Sequence, residues 1–370
     1  MPRTYAKVNS EILKWARDNT PFAISDVAKN ISVKEEDISN WESGKKYPTI
    51  GQAIKLAKLY KLPMTSFYYK SIPEKDVRKY SDRRVLYGVD SREPSIELWK
   101  EIEKLYTLRN TIIKIDNRIL TNLPTINNSD TCEDIANKIK SHFCISDIYD
   151  YKEVRKRIEK NGIIVSSIQK VQVSEMRGIA IYFDELPIIG INSKDSKNAR
   201  LFTIFHELIH ILRHNSSLCL VNLNEQDDNE ERICNEIAAE ILMPKDKILN
   251  KFNDDMITAD TIYDYAKEVN VSCYALLTRL YKLNIISYIK YKDIYKYCDN
   301  KYIEFLNSQY NGRKAKVKYE HRYVNEYGYC FINSIINEYG EGNISFGETC
   351  IMLKIKTDYF AKILHGACFN

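Results

Sequence analysis

Residues 201–214 read Leu201-Phe202-Thr203-Ile204-Phe205-His206-Glu207-Leu208-Ile209-His210-Ile211-Leu212-Arg213-His214. His206 and His210 lie four residues apart, so an α-helix sets both imidazoles on one face, within reach of a single ion. Leu201, Phe202, Ile204, Phe205, Leu208, Ile209, Ile211 and Leu212 surround them, which predicts a buried helix. Buried His and Glu side chains need partners, and a metal ion supplies them. Three of the six His of the chain fall between positions 206 and 214. The chemistry points to one catalytic Zn2+, which binds neutral imidazole nitrogen at about 2.0–2.1 Å. Glu207 flanks the same face and is the expected catalytic base, taking a proton from a water activated by the metal.

A catalytic zinc needs a third protein ligand and one open position. His214 lies about 12 Å along the helix axis from His206, too far to share an ion without a break in the helix. The next helical pattern runs from Glu230 to Met243, is stopped by Pro244, and carries Glu230, Glu231, Glu236 and Glu240. Ile233, Ile237, Ala238 and Ile241 are expected to face its core. Glu231 and Asn235 share a neighbouring stripe, which suits Glu231 as ligand and Asn235 as the residue that orients a ligating His. Spacing alone leaves the choice among these Glu open.

Upstream, Gly162-Ile163-Ile164-Val165 reads as a short buried strand. Ile179–Phe183 and Ile188–Ile191 form a hairpin-like pair around Asp184-Glu185-Leu186-Pro187. Helical patterns at 132–143 and 150–160 precede them, and 260–286 is helical again. Ile96–Ile119 reads as one long helix with Leu98, Ile102, Leu105 and Tyr106 along one stripe. Residues 9–70 read as short helices: one opening at Glu11, one at Ile24 with Ser25 as its cap, one at Lys34–Glu42 and one at Gly51–Tyr60. Beyond residue 290, Tyr327–Tyr339, Ile344–Leu353 and Thr357–Leu364 are further helical patterns. Tyr281–Tyr310 is dense in Tyr and Lys, read as core and interface residues.

The 370-residue chain is long enough for two or three domains. Its net charge of +5 is uneven, because residues 1–80 hold 15 Lys and Arg against 9 Asp and Glu. A basic N-terminal module hints at nucleic acid. The nine Cys include no C-x-x-C pair, which argues against a disulfide framework or a thiolate knuckle. No run reaches the length of a membrane span, and Met1–Lys7 is not followed by the apolar core of a signal peptide, so the expected compartment is the cytoplasm with no membrane partner.

With these motifs in view, the chain resembles the ImmA/IrrE-type metallopeptidases in their version fused to an XRE-type helix-turn-helix domain. Phe202-Thr203-Ile204-Phe205-His206-Glu207-Leu208-Ile209-His210 matches the peptidase helix of that family. Glu231, Asn235, Ala238, Leu242, Met243 and Pro244 match its second helix, with Cys234 where Ala is usual. The resemblance favours Glu231 over its neighbours as third ligand. Arg177-Gly178-Ile179-Ala180 and Ile189-Gly190-Ile191-Asn192 look like its two strands. Trp41-Glu42-Ser43-Gly44, Pro48-Thr49 and Leu56–Tyr60 match the helix-turn-helix module.

The resemblance implies an α+β chain in four parts. These are an XRE-like helix-turn-helix bundle over 1–72, a linker with a long helix over 73–130, a zincin-like HExxH peptidase domain with a small β-sheet over 131–288, and a helical C-terminal extension over 289–370. It implies limited proteolysis of a protein substrate, a transcriptional repressor of the same genetic element or of a stress response. Double-stranded DNA is the second expected partner, and a dimer is compatible with the module. Residues 34–42 are the expected recognition helix, with Lys34, Ser39, Asn40, Lys45 and Lys46 as candidate contacts. Glu35, Glu36 and Asp37 oppose phosphate there. The alternative is a DNA-binding regulator whose zinc domain is a sensor or structural element without turnover.

Overall fold

The computed structural model describes residues 4–72, 95–116, 120–127, 129–145, 150–214, 217–219, 229–252, 257–298 and 318–367. The charged stretch 73–94 and the tyrosines and lysines of 299–317 lie outside the described residues. The chain divides into two compact units, Met1–Glu103 and Lys104–Asn370. Among the described residues, no helix is long and apolar enough to cross a membrane.

In the first unit, α1 (Ser10–Asp18), α2 (Ile24–Ile31), α3 (Glu35–Glu42) and α4 (Ile50–Leu59) enclose a core that includes Ile12, Val27, Ile38, Trp41 and Leu56. Asn9 caps α1 by accepting from Glu11 N–H, and Thr49 caps α4 by accepting from Gln52 N–H. Ser25 lies inside α2 rather than at its cap. Ala23 is the cap residue and makes no side-chain cap bond; its own N–H donates to Asp26 Oδ2 at 3.1 Å, the return half of a capping box. Arg17 ties α1 to the end of α3 through a two-pronged pair with Glu42, at 2.7 and 3.0 Å.

The long helix α5 is described over Ile96–Ile115. Residues 117–119, expected to continue it, lie outside the described residues. Its start belongs to the first unit, where Trp99 meets Phe22 edge to face. Its later residues belong to the second, where Leu105 reaches Gly190. A Cβ at Gly190 would stand 2.6 Å from Ile179 and 3.1 Å from Leu105, so the absence of a side chain lets the helix close onto the sheet.

The second unit is built on four strands in the order β1-β3-β2-β4: β1 (Ile164–Ile168), β2 (Gly178–Ile181), β3 (Ile188–Asn192) and β4 (Ser217–Cys219). β2 and β3 form the expected antiparallel hairpin, with Ile181 opposite Ile188. β3 then inserts beside β1 in parallel register, Val165 opposite Ile189. β4 closes the other side against β2. Every residue of β1, β2 and β3 is buried, including the polar Ser166, Ser167 and Asn192, and this matches the lack of apolar–polar alternation along them. Around the sheet lie α6 (Cys132–His142), α7 (Tyr151–Glu159), α8 (Lys197–Leu212), α9 (Asn229–Leu242), α10 (Lys245–Lys251), α11 (Ala259–Glu268) and α12 (Cys273–Lys282). The tyrosines at 274, 281, 288, 291 and 295 pack on one another, with neighbouring ring centroids 5.0–6.4 Å apart.

The helix expected over 327–339 is observed as Tyr329–Gly340, and a further helix, Tyr319–Tyr327, precedes it. Gly328 separates them at φ 90°, where a Cβ would stand 2.4 Å from Glu159 Oε1 and 2.5 Å from the Val165 carbonyl. The break turns the start of the second helix towards Glu159, which accepts from Cys330 N–H at 3.2 Å. Arg155, fully buried, pairs with Glu159 at 3.1 Å and donates to the carbonyls of Val165 and Asn325. Ser166 Oγ donates to the Glu326 carbonyl at 2.6 Å. The otherwise open edge of β1 is thus covered by the C-terminal segment.

Candidate metal centre

Ser196 starts α8 by accepting from Ala199 N–H. From Thr203 to Leu212 every residue of α8 is buried, His206 and His210 included, and Glu207 has no exposed surface. α9 packs beside α8 through Cys234, Ile237, Ala238 and Ile241. Ile233, expected on that core face, is only partly buried, and Cys234 takes its place at the centre.

His206 Nε2 lies 3.1 Å from Glu231 Oε2, and His210 Nε2 lies 3.1 Å from Glu231 Oε1. The two Nε2 atoms are themselves 3.1 Å apart. A tetrahedral zinc with bonds of about 2.0–2.1 Å spans donor–donor edges of roughly 3.3 Å. The two nitrogens and the carboxylate therefore stand at close to the spacing such an ion requires, and among the described residues no fourth His, Cys, Asp or Glu atom joins this triangle. Burial opposes ionisation of Glu231, but its hydrogen bonds with both imidazoles outweigh that cost and hold the carboxyl well below the usual range.

The four Glu of α9, which spacing did not separate, have four different surroundings. Glu231 faces the imidazoles. Glu230 forms a two-pronged pair with Arg213 at the end of α8, one contact at 2.8 Å. Glu240 is buried, pairs with Arg279 and accepts from Lys245 N–H at 3.0 Å. Glu236 is exposed. The ion pair made by Glu230 thus occupies one side of the first turn of α9, while Glu231 meets the two imidazoles.

The far side of His210 differs from expectation. Its Nδ1 lies 3.7 Å from Cys234 Sγ, whereas Asn235 makes no hydrogen bond to either imidazole among the described residues. Burial, reinforced by Glu230 and Glu231, pushes the Cys234 thiol far above its ordinary value, so it remains protonated. His214 stands apart from the triangle: it is exposed and stacks on Tyr182, ring centroids 4.7 Å apart.

Gly178 contributes through what it lacks. A Cβ there would fall 2.3 Å from Glu207 Oε1 and 2.5 Å from Thr203 Cγ2. The Glu207 carboxylate lies against the backbone of β2 in space that only glycine leaves open. In the sequence Gly178 reads merely as part of a strand, and Cys234 as a small apolar substitution. Cys234 lies between Glu231 and Asn235, whereas Gly178 is far in sequence from Glu207, and neither contact is deducible without the packing of β2 and α9 on α8.

Candidate DNA contacts lie in the first unit. Lys34, Ser39, Lys45 and Lys46 are exposed and Asn40 is half-buried, while Glu35 and Glu36 are exposed beside them.

Residues 166–281 match the peptidase M78 family model, described as the IrrE N-terminal-like domain. The match runs from β1 into α12 and so contains the donors, Glu207, Gly178 and Cys234. It supports a metallopeptidase domain of the zincin-like type. The first unit and the helices after residue 318 lie outside it. No curated protein matches the chain.

Proposed function

We propose that this chain is a zinc-dependent endopeptidase that acts by limited proteolysis on a regulatory protein such as a transcriptional repressor, and that its N-terminal helices form a helix-turn-helix that binds double-stranded DNA. The observation that carries the peptidase reading is the triangle of His206, His210 and Glu231, with 3.1 Å edges and no fourth protein donor among the described residues. A closed four-ligand set would favour a structural or sensing ion, and the three-donor set favours catalysis. A zinc ion held by these residues supplies Lewis acidity, polarising a peptide carbonyl and acidifying water.

The remaining chemistry belongs to the chain. Glu231, ionised and shared between two imidazoles, offsets positive charge at the centre. Glu207 is next to His206 in sequence, lies against β2, and has no role as a donor in the triangle. Its carboxylate accepts the proton of the attacking water and returns it to the departing amine nitrogen, the general-base then general-acid sequence of peptide hydrolysis.

Glu207→Gln should retain zinc at one ion per chain and lower kcat by about a hundredfold or more, whereas Glu231→Ala should lose the ion. Newly formed protein N-termini, compared between cells producing the wild type and E207Q, should include a small set present only with the wild type, in a DNA-binding protein. Equal N-termini in both would exclude the proteolytic reading.

A further inference from the structure

Metal-binding imidazoles need a partner at their second nitrogen, which sets the tautomer and the ring plane. For His210 that partner is not the side chain the helix spacing suggests. Cys234 sits one residue before Asn235 and three after Glu231, and the twist of α9 aims its thiol, not the amide, at His210. Sγ and Nδ1 are 3.7 Å apart, within reach of a sulfur hydrogen bond, and both residues are almost completely buried, so no bulk water competes for Nδ1.

We propose that Cys234 is a positioning residue of the metal centre, whose thiol holds the His210 imidazole by its Nδ1 so that Nε2 is presented to the ion. A thiol is both a weak donor and a weak acceptor. With the ion in place, Nδ1 carries the proton and donates to Sγ. Without it, Nε2–H faces Glu231, and the Cys234 S–H donates to Nδ1. One side chain therefore serves both states of the ring without a rotamer change, so the imidazole stays aligned when the ion leaves. The contribution is modest because sulfur accepts weakly, and it falls at the lower end of the 10–100-fold usual for such partners.

The inference rests on the metal reading of the His206–His210–Glu231 triangle, and the test separates the two. Zn2+ affinity is measured on the full-length apo protein by competition with a chromophoric chelator, for the wild type, Cys234→Ser, Cys234→Val and Cys234→Ala. Serine keeps the hydrogen bond and little else. Valine keeps the volume and removes the hydrogen bond. Expected are a wild-type-like Kd for C234S and a Kd raised about tenfold for C234V and C234A. In long-range proton–nitrogen spectra of the zinc-loaded wild type, His210 should show a slowly exchanging Nδ1 proton that the valine variant lacks. Thermal unfolding of the apo forms identifies any variant that has lost its fold, and the serine–valine comparison then decides. If C234V matches the wild type while C234S weakens binding, the thiol acts by packing and the proposal is overturned. Four equal affinities also overturn it. A wild type that binds no zinc defeats the metal reading and this inference together.

Discussion

At the scale of single residues, the site depends on small side chains as much as on the donors. Gly178 is the sharpest case, because the space its side chain would fill is occupied by the Glu207 carboxylate. Gly178→Ala forces Glu207, Thr203 or β2 to move, and the carboxylate is the most mobile of the three. The donors lie on the α9 side of α8, so the expected result is normal zinc content with kcat reduced by about a hundredfold, the usual scale for a displaced general base. Loss of zinc in the alanine variant would show that the whole helix had shifted and that Gly178 has no particular relation to Glu207. His206, Glu207 and His210 were legible from spacing because one helix carries them all. The place of Glu231 and the contact of Cys234 with His210 needed a second helix, whose packing through Cys234, Ile237, Ala238 and Ile241 is not fixed by spacing within α9.

Among the elements, periodicity located the hairpin of β2 and β3 and the two helices α8 and α9, because each buries one continuous apolar face or run. It could not foresee the break at Gly328, where the cause is Glu159, far away in sequence and buried beneath the turn. That contact is also where the C-terminal segment is tied to the sheet. Burial pushes the Glu159 carboxyl up to about 7, against the opposing pull of Arg155 and of the N–H groups of Cys330 and Tyr329. A folded pKa above the unfolded value of about 4.3 means the native state holds the extra proton between those values. Its contribution to stability is therefore complete below that window and declines as pH rises through it. Arg155→Met leaves Glu159 without its cation. Unfolding by urea should show a loss of about 3–5 kcal/mol at pH 8, where the carboxylate would be buried unpaired. At pH 5, where the proton replaces the missing cation, the loss should be smaller. An equal loss at both pH values would mean that Arg155 acts only through its bonds to the carbonyls of Val165 and Asn325.

On the scale of the whole molecule, the proposed chemistry and the proposed DNA contacts fall in different compact units. The two activities should therefore yield to different substitutions. Residues 1–80 hold the basic excess of the chain, with 15 Lys and Arg against 9 Asp and Glu. Yet the first turn of α3 exposes Glu35 and Glu36, and the lysines after that helix, Lys45 and Lys46, are exposed as well. If this face meets a duplex, the two groups must act with opposite sign. Replacing Lys45 and Lys46 by Ala should weaken binding to duplex DNA of random sequence and flatten the plot of log K against log salt by about 2, since each phosphate contact contributes about 0.9 to the slope. Replacing Glu35 and Glu36 by Gln should tighten binding at low salt, because two carboxylates no longer repel the backbone. Peptidase activity and zinc content should be unchanged in both variants, because none of the four residues belongs to the unit that holds His206, His210 and Glu231. Gel shifts across a salt series, paired with zinc analysis of the same preparations, measure both properties. If neither pair of substitutions alters the salt dependence, the acidic helix does not face DNA, and the module is one that docks on protein.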